Sequence, residues 1–324
     1  MTLQNKVILI TGGTGSFGQK FIEIALQEHS PKVIRIFSRG ELLQQETRQK
    51  FNDDPRLRFF IGDVRDRERV YRAMNGVDIV VHAAALKQVS TCEYNPLEAV
   101  KTNIDGVANV IDAAIDNGVE KVMAISTDKA VQPVNLYGAT KLAAEKLFIQ
   151  SNVYTGWRKT RFSCVRYGNV VGSRGSVVPL FLKQKENGTI TITDERMTRF
   201  WITLEHGVRF VIDCIGRMHG GEVFIPKIPS MKITELADVI APKAERKITG
   251  IRPGEKVNEI LITEEEARHV REFDDFFVIE PEIPFGRDGN FNDGNTVLEG
   301  FTYTSDNNNR WLTKAELTKM LGIY

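Results

Sequence analysis

Short apolar runs alternate with longer charged segments through the first half of this 324-residue chain. The runs are rich in β-branched and aromatic residues, whereas the segments between them, such as 18–28 and 96–117, have the apolar spacing of helices. Short buried runs separated by helices are typical of parallel strands that are covered on both faces. The pattern predicts a doubly wound α/β fold, with a parallel sheet built from strands at 6–11, 32–37, 57–61, 78–84, 121–126 and 161–165.

The pattern changes near residue 167. Beyond this point glycine and proline punctuate shorter strand-like runs, and the segment 284–309 is rich in glycine, asparagine and aspartate, which predicts long surface loops. We therefore expect residues 1–167 to form the doubly wound domain, completed by segments from the second half. Residues 168–324 are expected to form a smaller domain on the substrate side.

Composition excludes several classes of protein. The chain has 43 lysines and arginines against 42 aspartates and glutamates, and this near-neutrality argues against a nucleic-acid partner. No window approaches the ~20 consecutive apolar residues of a membrane-spanning helix, and no basic leader precedes the first apolar run. The cysteines Cys92, Cys164 and Cys214 have no CxxC spacing and are expected to be buried thiols in a reducing compartment. We therefore expect a cytoplasmic protein with neither a membrane nor a nucleic-acid partner.

A glycine-rich turn follows the first predicted strand and begins the first predicted helix. Gly12, Gly15 and Gly18 have the spacing GxxGxxG, in which one glycine permits a tight turn, one lets a pyrophosphate approach the backbone and one allows close helix–strand packing. The phosphates would bind free N–H groups at the helix N-terminus, near Ser16 and Phe17. With a strand before it and a helix after it, the turn predicts a dinucleotide site.

The end of the second predicted strand indicates which dinucleotide binds. NAD-specific folds place an acidic residue about 20 residues after the glycines, whereas this chain has Ser38 and Arg39 there. An arginine can hold a 2′-phosphate with charge-assisted hydrogen bonds, so we predict NADP; a merely solvated arginine is the alternative. Asp63, after the third strand, would meet the adenine unless it only caps a helix. Further cofactor contacts are expected at Val64, Ala83, Ala84 and Lys87, of which Lys87 could touch either ligand.

Tyr137 and Lys141 are four positions apart on a predicted helix and therefore share one face. A tyrosine with its unperturbed pKa of about 10 is a poor base at neutral pH. A neighbouring ammonium and an oxidised nicotinamide ring would both favour its phenolate form. The pair follows the fifth predicted strand, with Thr127 ten residues before the tyrosine.

This arrangement resembles the short-chain dehydrogenase/reductase superfamily, a group of Rossmann-fold enzymes, in its extended branch that acts on nucleotide sugars. The resemblance implies that Thr127 hydrogen-bonds the substrate hydroxyl that is oxidised. Asp128 and Lys129 follow it at the carboxyl end of the fifth strand, where ligands bind in such sheets. They would add the acid and the base that elimination of water requires, although an isolated Asp-Lys pair is usually a surface ion pair.

Longer segments resemble one family within that branch, the inverting UDP-N-acetylglucosamine 4,6-dehydratases, which begin pseudaminic acid synthesis. These segments are 83–89, 93–96, 126–141, 165–176, 196–201 and 252–256. Two positions depart from the family pattern: Gln88 stands where histidine is usual, and Ser90 where proline is usual. Both are expected near the substrate, so they bear on substrate preference rather than on the chemistry.

The resemblance implies a sequence of proton and hydride transfers. Tyr137, as phenolate, takes the proton of the carbon-4 hydroxyl while NADP⁺ accepts the carbon-4 hydride. Lys129, as a neutral amine with a depressed pKa, then removes the carbon-5 proton, and an initially protonated Asp128 helps the carbon-6 hydroxyl leave as water. Hydride returns to carbon 6, and carbon 5 is reprotonated from the opposite face. The product would be UDP-2-acetamido-2,6-dideoxy-beta-L-arabino-hexos-4-ulose.

The substrate side is expected to come from the second half of the chain. On the resemblance, Arg252 binds the diphosphate with help from Arg199, although both could instead form surface salt bridges. Asn169 should contact the substrate, and Val177 and Glu255 are further candidates. Met197, Phe200 and Trp201 could either pack the domain or line the sugar site.

Three other functions remain as alternatives. One is a dehydratase/5-epimerase that acts on the same UDP-sugar in another deoxysugar pathway, and another is a UDP-sugar 4-epimerase, in which Asp128 and Lys129 would be idle. The third is a non-catalytic NADP-sensing regulator, against which the intact Tyr137 and Lys141 argue. The five histidines have no metal-ligand spacing, so we predict no metal, and His82 is expected to be a core residue. The resemblance also implies a homo-oligomer, with a hexamer built from dimers as the expected form.

Overall fold

In the computed structural model, residues 2–172, 177–283, 285 and 291–322 are described. The strands, in chain order, are β1 (Val7–Thr11), β2 (Val33–Ser38), β3 (Leu57–Ile61), β4 (Ile79–His82), β5 (Lys121–Ile125), β6 (Arg161–Val165), β7 (Asn169–Val170), β8 (Thr189–Ile192), β9 (Thr198–Ile202), β10 (Val223–Pro226), β11 (Ser230–Lys232), β12 (Glu245–Ile248), β13 (Ile260–Ile262), β14 (Val270–Glu272), β15 (Phe276–Ile279), β16 (Asn295–Thr296) and β17 (Tyr303–Thr304). The helices are α1 (Ser16–Ile24), α2 (Glu41–Lys50), α3 (Arg67–Met74), α4 (Val89–Tyr94), α5 (Pro96–Val100), α6 (Gly106–Asp116), α7 (Leu136–Gln150), α8 (Val177–Glu186), α9 (Leu204–Arg217), α10 (Ile233–Ile240) and α11 (Lys314–Leu321).

A twisted sheet forms the centre of the molecule. Within the described residues its ten strands run in the order β16-β14-β15-β10-β6-β5-β4-β1-β2-β3. All neighbouring pairs from β10 to β3 are parallel, and β15, β14 and β16 extend the sheet in antiparallel orientation. All six strands predicted in the first half are present, so the predicted doubly wound fold class is confirmed. The second half contributes β10, β14, β15 and β16 to the same sheet.

Apolar side chains explain why these runs become central strands. In β1 all residues after Val7 are buried, and the register places Ile8 against both Ile34 of β2 and Ile79 of β4. Helices cover both faces, since α1 packs against α9 whereas α3 and α7 both pack against α6. Burial on two faces requires the nearly continuous apolar runs that the sequence shows.

Two helical predictions differ from the structure in detail. The helix expected at 18–28 begins at Ser16, and after Ile24 it continues as the wider π-helical turn Ala25–His29. The helix expected at 96–117 consists of α5, a second wide turn at Lys101–Asp105, and α6. Residue 284 and residues 286–290 of the expected loop region, and 173–176 of the 165–176 segment, lie outside the described residues.

A smaller lobe with its own apolar core stands beside the sheet. Residues of α8, β8, β9, β11, α10 and α11 form this second cluster, in which β8 pairs with β12, and β9 lies between β7 and β11. None of the described helices has the length and apolar character needed to cross a bilayer.

A buried ion network joins the second half of the chain to the sheet. Arg166, at the end of β6, places Nη2 2.5 Å from Oε1 of Glu145 in α7 and 2.9 Å from Oε1 of Glu266. The same guanidinium donates to the carbonyl of Leu261 in β13, and Glu145 accepts from Ser126 Oγ at 2.6 Å. This network fixes α7 and β13 relative to the carboxyl ends of β5 and β6.

Candidate active site

A cleft of about 1880 Å³ runs along the carboxyl ends of β1, β4 and β5. Residues of the glycine-rich turn, of β2 and of α7 line one side, and residues 252–256 and the smaller lobe line the other. A site for one drug-sized ligand has about 300–1,000 Å³, so this cleft has room for two ligands side by side. Its position at the point where the order of the strands reverses is where doubly wound folds bind ligands.

The three glycines of the turn have different roles in the structure. Gly12 has φ +67°, and a Cβ there would lie 3.0 Å from the backbone nitrogen of Ala84. Gly18 lies below the cleft, where a Cβ would be 2.4 Å from the backbone of Gly13. Gly15 lines the cleft at the N-cap of α1 and leaves the N-terminus of that helix open to a phosphate. Gly13 is a fourth position at which the turn requires glycine, since a Cβ there would lie 2.9 Å from the side chain of Ile36.

The predicted cofactor contacts come together at one end of the cleft. Its lining there consists of Gly12, Gly15, Ser16, Phe17, Ser38, Arg39, Asp63, Val64, Ala83, Ala84 and Lys87. Arg39 Nη1 lies 3.7 Å from Asp63 Oδ2, while Arg65 Nη2 lies 2.7 Å from the same oxygen. The residue that caps α3 is Asp66, so the capping alternative for Asp63 is wrong. Burial opposes ionisation of Asp63, but the hydrogen bonds from Arg65 outweigh it and lower its pKa.

His82 is a structural residue of the central sheet, as predicted. Its Nδ1 lies 2.9 Å from Thr11 Oγ1, which also accepts from the backbone N–H of Ala84. Burial, together with the charge of Lys141, lowers the pKa of His82 to about 3. The imidazole therefore stays neutral and supports the loop that follows β4.

Tyr137 and Lys141 face the cleft from the first turns of α7. Asn135 caps this helix by accepting a hydrogen bond from the N–H of Gly138 at 2.7 Å. Lys141 Nζ donates to the carbonyl of Ile125 at 2.6 Å, and burial lowers its pKa. Burial also raises the pKa of Tyr137 to about 12, while the charge of Lys129 and a hydrogen bond with Thr127 oppose this shift. The charge of Lys129 therefore also favours the phenolate form of Tyr137.

Thr127, Asp128 and Lys129 form a tight turn at the end of β5. Thr127 Oγ1 donates to Asp128 Oδ1 at 2.8 Å, and Lys129 Nζ donates to the same oxygen at 3.1 Å. The amine also lies 3.5 Å from Asn169 Oδ1 and 3.3 Å from Glu259 Oε1. Asp128 is 1% exposed, so this pair is not the surface ion pair that an isolated dipeptide would suggest. Asp128 lies below the lining of the cleft, whereas Lys129 and Asn169 are part of that lining.

The charge state of Lys129 differs from the prediction. Burial alone would lower the pKa of its amine, but the carboxylates of Asp128 and Glu259 outweigh burial and raise it. The expected depressed pKa is therefore wrong, because no local sequence pattern indicates the second carboxylate, Glu259. Burial raises the pKa of Asp128 and Glu259 adds to this shift, whereas the charge of Lys129 opposes it.

Glu259 is a site residue that the sequence did not reveal. It is 2% exposed, lines the cleft and lies 3.5 Å from Nε of Arg199. Burial opposes its ionisation, but the charges of Lys129 and Arg199 outweigh burial and lower its pKa. No local spacing signals this position, because Glu259 is placed by long-range hydrogen bonds with Ser305.

Arg199 has a different environment from the one expected for a side chain that binds the substrate diphosphate. Its Nη1 donates to the carbonyls of Thr198 and Val257, and its Nη2 donates to the carbonyl of Lys256 and to Met197 Sδ. With Nε facing Glu259, the guanidinium is engaged by the protein itself. The structure therefore favours a role for Arg199 in neutralising Glu259.

Arg252 and Glu255 lie on a loop at the mouth of the cleft. The Arg252 side chain is 60% exposed and lies 3.9 Å from Glu255 Oε1. Asn135 Nδ2 donates to the carbonyl of Gly254 at 2.7 Å, so the residue that caps α7 also holds this loop. Gly254 has φ +79°, and a Cβ there would lie 2.9 Å from Asn135.

The remaining substrate-side candidates fall into two groups. Lys87, Gln88, Ser90, Asn169 and Val177 line the cleft. Met197 and Trp201 line it as well but also belong to the core of the smaller lobe, whereas Phe200 packs on Tyr303 with ring centroids 4.7 Å apart.

Comparison with known sequences gives a family and several named relatives. A family model described as "polysaccharide biosynthesis protein" matches residues 8–281. A Campylobacter jejuni protein named UDP-N-acetylglucosamine 4,6-dehydratase (inverting) is 54% identical over 98% of this chain and 97% of its own length. A Rickettsia conorii protein named UDP-glucose 4-epimerase is 43% identical over 89% of this chain and 85% of its own.

Comparison with solved structures extends the likeness to three dimensions. The protein Pen from Bacillus thuringiensis superposes over 100% of both chains with a TM-score of 0.91 and 40% identity. DesIV, a dTDP-glucose 4,6-dehydratase from Streptomyces venezuelae solved with NAD bound, has a TM-score of 0.69 at 22% identity, covering 78% of this chain and 86% of its own. The second match shows a shared fold.

Proposed function

Since this chain belongs to the polysaccharide biosynthesis protein family and, within it, to the inverting UDP-N-acetylglucosamine 4,6-dehydratases of the extended short-chain dehydrogenase/reductase superfamily, we propose that its substrate is UDP-N-acetylglucosamine. The chain is a dehydratase, a hydro-lyase. We propose that it eliminates water between carbons 5 and 6 after transient oxidation at carbon 4, and that carbon 5 is inverted. The product would be UDP-2-acetamido-2,6-dideoxy-beta-L-arabino-hexos-4-ulose, the first intermediate toward pseudaminic acid.

One observation carries the proposal. Tyr137, Lys141 and the Lys129 amine line the same cleft, and Asp128, the buried carboxyl partner of that amine, lies directly behind it. The Tyr137–Lys141 pair serves oxidation of an alcohol, whereas the Asp128–Lys129 pair is the acid–base pair that elimination requires.

The cofactor end of the cleft fits a nicotinamide dinucleotide. Gly12, whose Cβ position is blocked by the backbone of Ala84, and the open N-terminus of α1 form a cradle for a pyrophosphate. Such a cofactor would accept a hydride from the sugar and later return it. We propose NADP rather than NAD, because Arg39 follows β2 where NAD-binding folds place a carboxylate.

The protein's own groups move the protons. We propose that Tyr137, hydrogen-bonded to Thr127, removes the proton of the carbon-4 hydroxyl. Lys129 takes the proton of carbon 5 in its neutral form, which arises when its excess proton lies on Asp128. The resulting Asp128 carboxylic acid can give that proton to the departing carbon-6 hydroxyl, because burial favours its neutral form.

The nucleotide part of the substrate would occupy the other end of the cleft. The exposed guanidinium of Arg252 is the candidate for the diphosphate, with Glu255 and Val177 beside it and Asn169 near the sugar. Lys87 lines the cleft between the two ligand positions and could contact either of them. We also propose a cytoplasmic location, which the three buried, unpaired cysteines support.

A 4-epimerase is the rival function, since the Rickettsia relative carries that name. An epimerase needs a tyrosine and a hydride acceptor but no group to remove the carbon-5 proton. The buried Asp128–Lys129–Glu259 cluster would then have no chemical use.

Mass spectrometry of UDP-N-acetylglucosamine after incubation with the purified protein tests the proposal. Loss of one water from the nucleotide sugar is expected. An unchanged mass with a new sugar configuration would establish the epimerase instead, and an unchanged substrate would favour a non-catalytic NADP sensor.

A further inference from the structure

Glu259 reaches the reacting groups from the second half of the chain. Its Oε1 lies 3.3 Å from Lys129 Nζ, and Asp128 Oδ1 lies 3.1 Å from the same nitrogen. Glu259 is 2% exposed, and Asp128 is 1% exposed. The amine is therefore held between two carboxyl groups that come from distant parts of the sequence.

Neither carboxyl group is fully satisfied by this arrangement. Among the described residues, Glu259 Oε2 and Asp128 Oδ2 are buried without a hydrogen-bond partner. An incompletely paired carboxylate in a buried site is costly, so a fold that needed Glu259 only for packing would gain from an apolar residue of similar size. The cost of burying the Glu259 carboxylate is expected if its negative charge serves the reaction.

We propose that Glu259 is a positioning residue for the elimination step. It holds the amine of Lys129 in place and supplies the negative charge that stabilises the ammonium ion formed when Lys129 accepts the carbon-5 proton. This inference rests on the proposed dehydratase function. It concerns a residue outside the Tyr137–Lys141 and Asp128–Lys129 motifs.

The step balances with the groups that are present. The carbon-5 C–H bond breaks and its proton goes to neutral Lys129, while the carbon-6 C–O bond breaks and the oxygen takes the proton of Asp128 to leave as water. The electron pair of the C–H bond forms the carbon–carbon double bond. Lys129 gains one positive charge as Asp128 gains one negative charge, and Glu259 remains a carboxylate throughout.

Several charged groups determine the basicity of Lys129. Asp128 and Glu259 raise the pKa of the amine, whereas Arg199 lowers it. Lys256, whose Nζ donates to the carbonyl of Val131, faces Glu259 from the loop at the mouth of the cleft, and Tyr137 faces Lys129 from α7. Because Glu259 is itself opposed by Arg199, the two residues shift the Lys129 equilibrium in opposite directions.

The test compares E259Q with the wild-type enzyme and with E264Q, an exposed glutamate outside the cleft lining. For each protein the pH profile of turnover is measured, together with the absorbance of enzyme-bound reduced nicotinamide during one turnover. The acidic and basic limbs of the pH profile report the titration of the coupled Asp128–Lys129 pair rather than of either residue alone.

Removing the Glu259 charge lowers the pKa of Lys129, so the profile of E259Q should move to lower pH, by ~1–3 units for the limb that reports loss of the Lys129 proton. A weaker base also slows elimination, so turnover at the optimum should fall about tenfold or more. Reduced nicotinamide should accumulate, because elimination slows more than the oxidation at carbon 4, in which Tyr137 is the base. R199Q should move the profile in the opposite direction, and E264Q should behave as wild type.

An E259Q profile that stays in place, or moves to higher pH, would overturn the inference and leave Glu259 a structural residue. If E259Q does not fold, E259D provides the test, since it keeps the charge but withdraws it from Lys129. Slower elimination with an unchanged oxidation step is expected of E259D, and equal slowing of both steps, or of neither, would refute the role. Failure of the wild-type enzyme to dehydrate UDP-N-acetylglucosamine would instead refute the proposed function.

Discussion

At the scale of single residues, the proposed chemistry depends on the position of one proton between Lys129 and Asp128. The carboxylates around Lys129 favour its ammonium form, while burial favours the neutral acid of Asp128. Movement of one proton between these two groups, which are 3.1 Å apart, produces the amine and the carboxylic acid that elimination requires. A tightly coupled pair can therefore supply the neutral amine although the carboxylates around Lys129 favour its ammonium form.

We expect Lys129→Ala to separate oxidation from elimination. The variant should still oxidise carbon 4, more slowly because the Lys129 charge that favours the Tyr137 phenolate is lost, but it should not exchange the carbon-5 proton with solvent. Loss of one positioned base typically lowers the rate by ~10²–10⁴-fold, and bound reduced nicotinamide should accumulate. Absorbance spectroscopy follows the cofactor, and Tyr137→Phe is the control that should give no such signal. Near-normal turnover by Lys129→Ala would show that the base lies elsewhere.

Arg39→Glu should shift the cofactor preference from NADP toward NAD. The substitution removes a charge-assisted contact with the 2′-phosphate, which contributes ~1.5–3 kcal/mol, and adds repulsion, so NADP affinity should fall about tenfold or more. Titration calorimetry with both dinucleotides measures the change. Arg72→Glu, at an exposed position outside the cleft lining, makes the same change in net charge and should leave both affinities unaltered. Equal affinity of the wild type for NAD and NADP would contradict the prediction.

Local sequence patterns sufficed to predict which residues after β5 and in α7 line the cleft. Tyr137 and Lys141 could be paired from helical spacing, and Thr127 and Lys129 from their place after β5. Glu259 and the role of Arg199 could not be predicted, because the contact of Glu259 with Lys129 joins positions 130 residues apart. The wrong expectation for the Lys129 pKa has the same cause.

At the scale of elements, the junction between the glycine-rich turn and α1 depends on the absence of a side chain. Gly18→Ala would place a Cβ 2.4 Å from the backbone of Gly13, and a backbone atom cannot move aside as a flexible side chain can. Overpacking of this kind typically costs ~1–3 kcal/mol of the free energy of unfolding. Denaturant unfolding without ligands measures the loss.

Gly207→Ala is the matched control for that substitution. Gly207 lies in α9, and a Cβ there would meet Ile202 at 3.7 Å, which is ordinary van der Waals contact. Alanine is favoured over glycine in a helix by about 1 kcal/mol, so this variant should be unchanged or more stable. Equal destabilisation of both variants would contradict the packing role of Gly18.

The parallel strands were predictable as elements, whereas those of the smaller lobe were not. The strands β1 and β4 are apolar runs that are buried at nearly every residue, and such runs are visible in the sequence even where, as in β3 at the edge of the sheet, burial is partial. In the smaller lobe β8 pairs with β12, so that Thr189 faces Glu245 and the pairing depends on distant residues. Short strands of this kind, such as β7 with two residues, carry too little pattern to be recognised.

At the scale of the whole molecule, the site is completed by both halves of the chain. Tyr137, Lys141 and Lys129 come from the first half, and Asn169, Glu259 and Arg252 come from the second. The hydrogen bond from Asn135 to Gly254 and the Arg166 network hold the two sides of the cleft together. The division of the chain near residue 167 thus separates parts that share one site.

We expect the protein to assemble into a homo-oligomer, with a hexamer built from dimers as the form that the family resemblance implies. Several large apolar side chains are exposed on the single chain, including Tyr94 at 88% and Trp157 at 92%, and association would remove such surface from water. Light scattering at micromolar concentration measures the mass. A monomer under these conditions would contradict the expectation.

The most direct test of the dehydratase assignment is a proton NMR spectrum of the product that the wild-type enzyme forms from UDP-N-acetylglucosamine in deuterated water. We predict a 4-keto sugar with a new methyl group at carbon 6, deuterium at carbon 5 and the inverted configuration at that carbon. Retention at carbon 5 would leave the elimination intact but contradict the inversion. A sugar that keeps its carbon-6 hydroxyl and its carbon-5 proton, and is changed only in configuration at carbon 4, would contradict the account of Asp128, Lys129 and Glu259 as the elimination machinery.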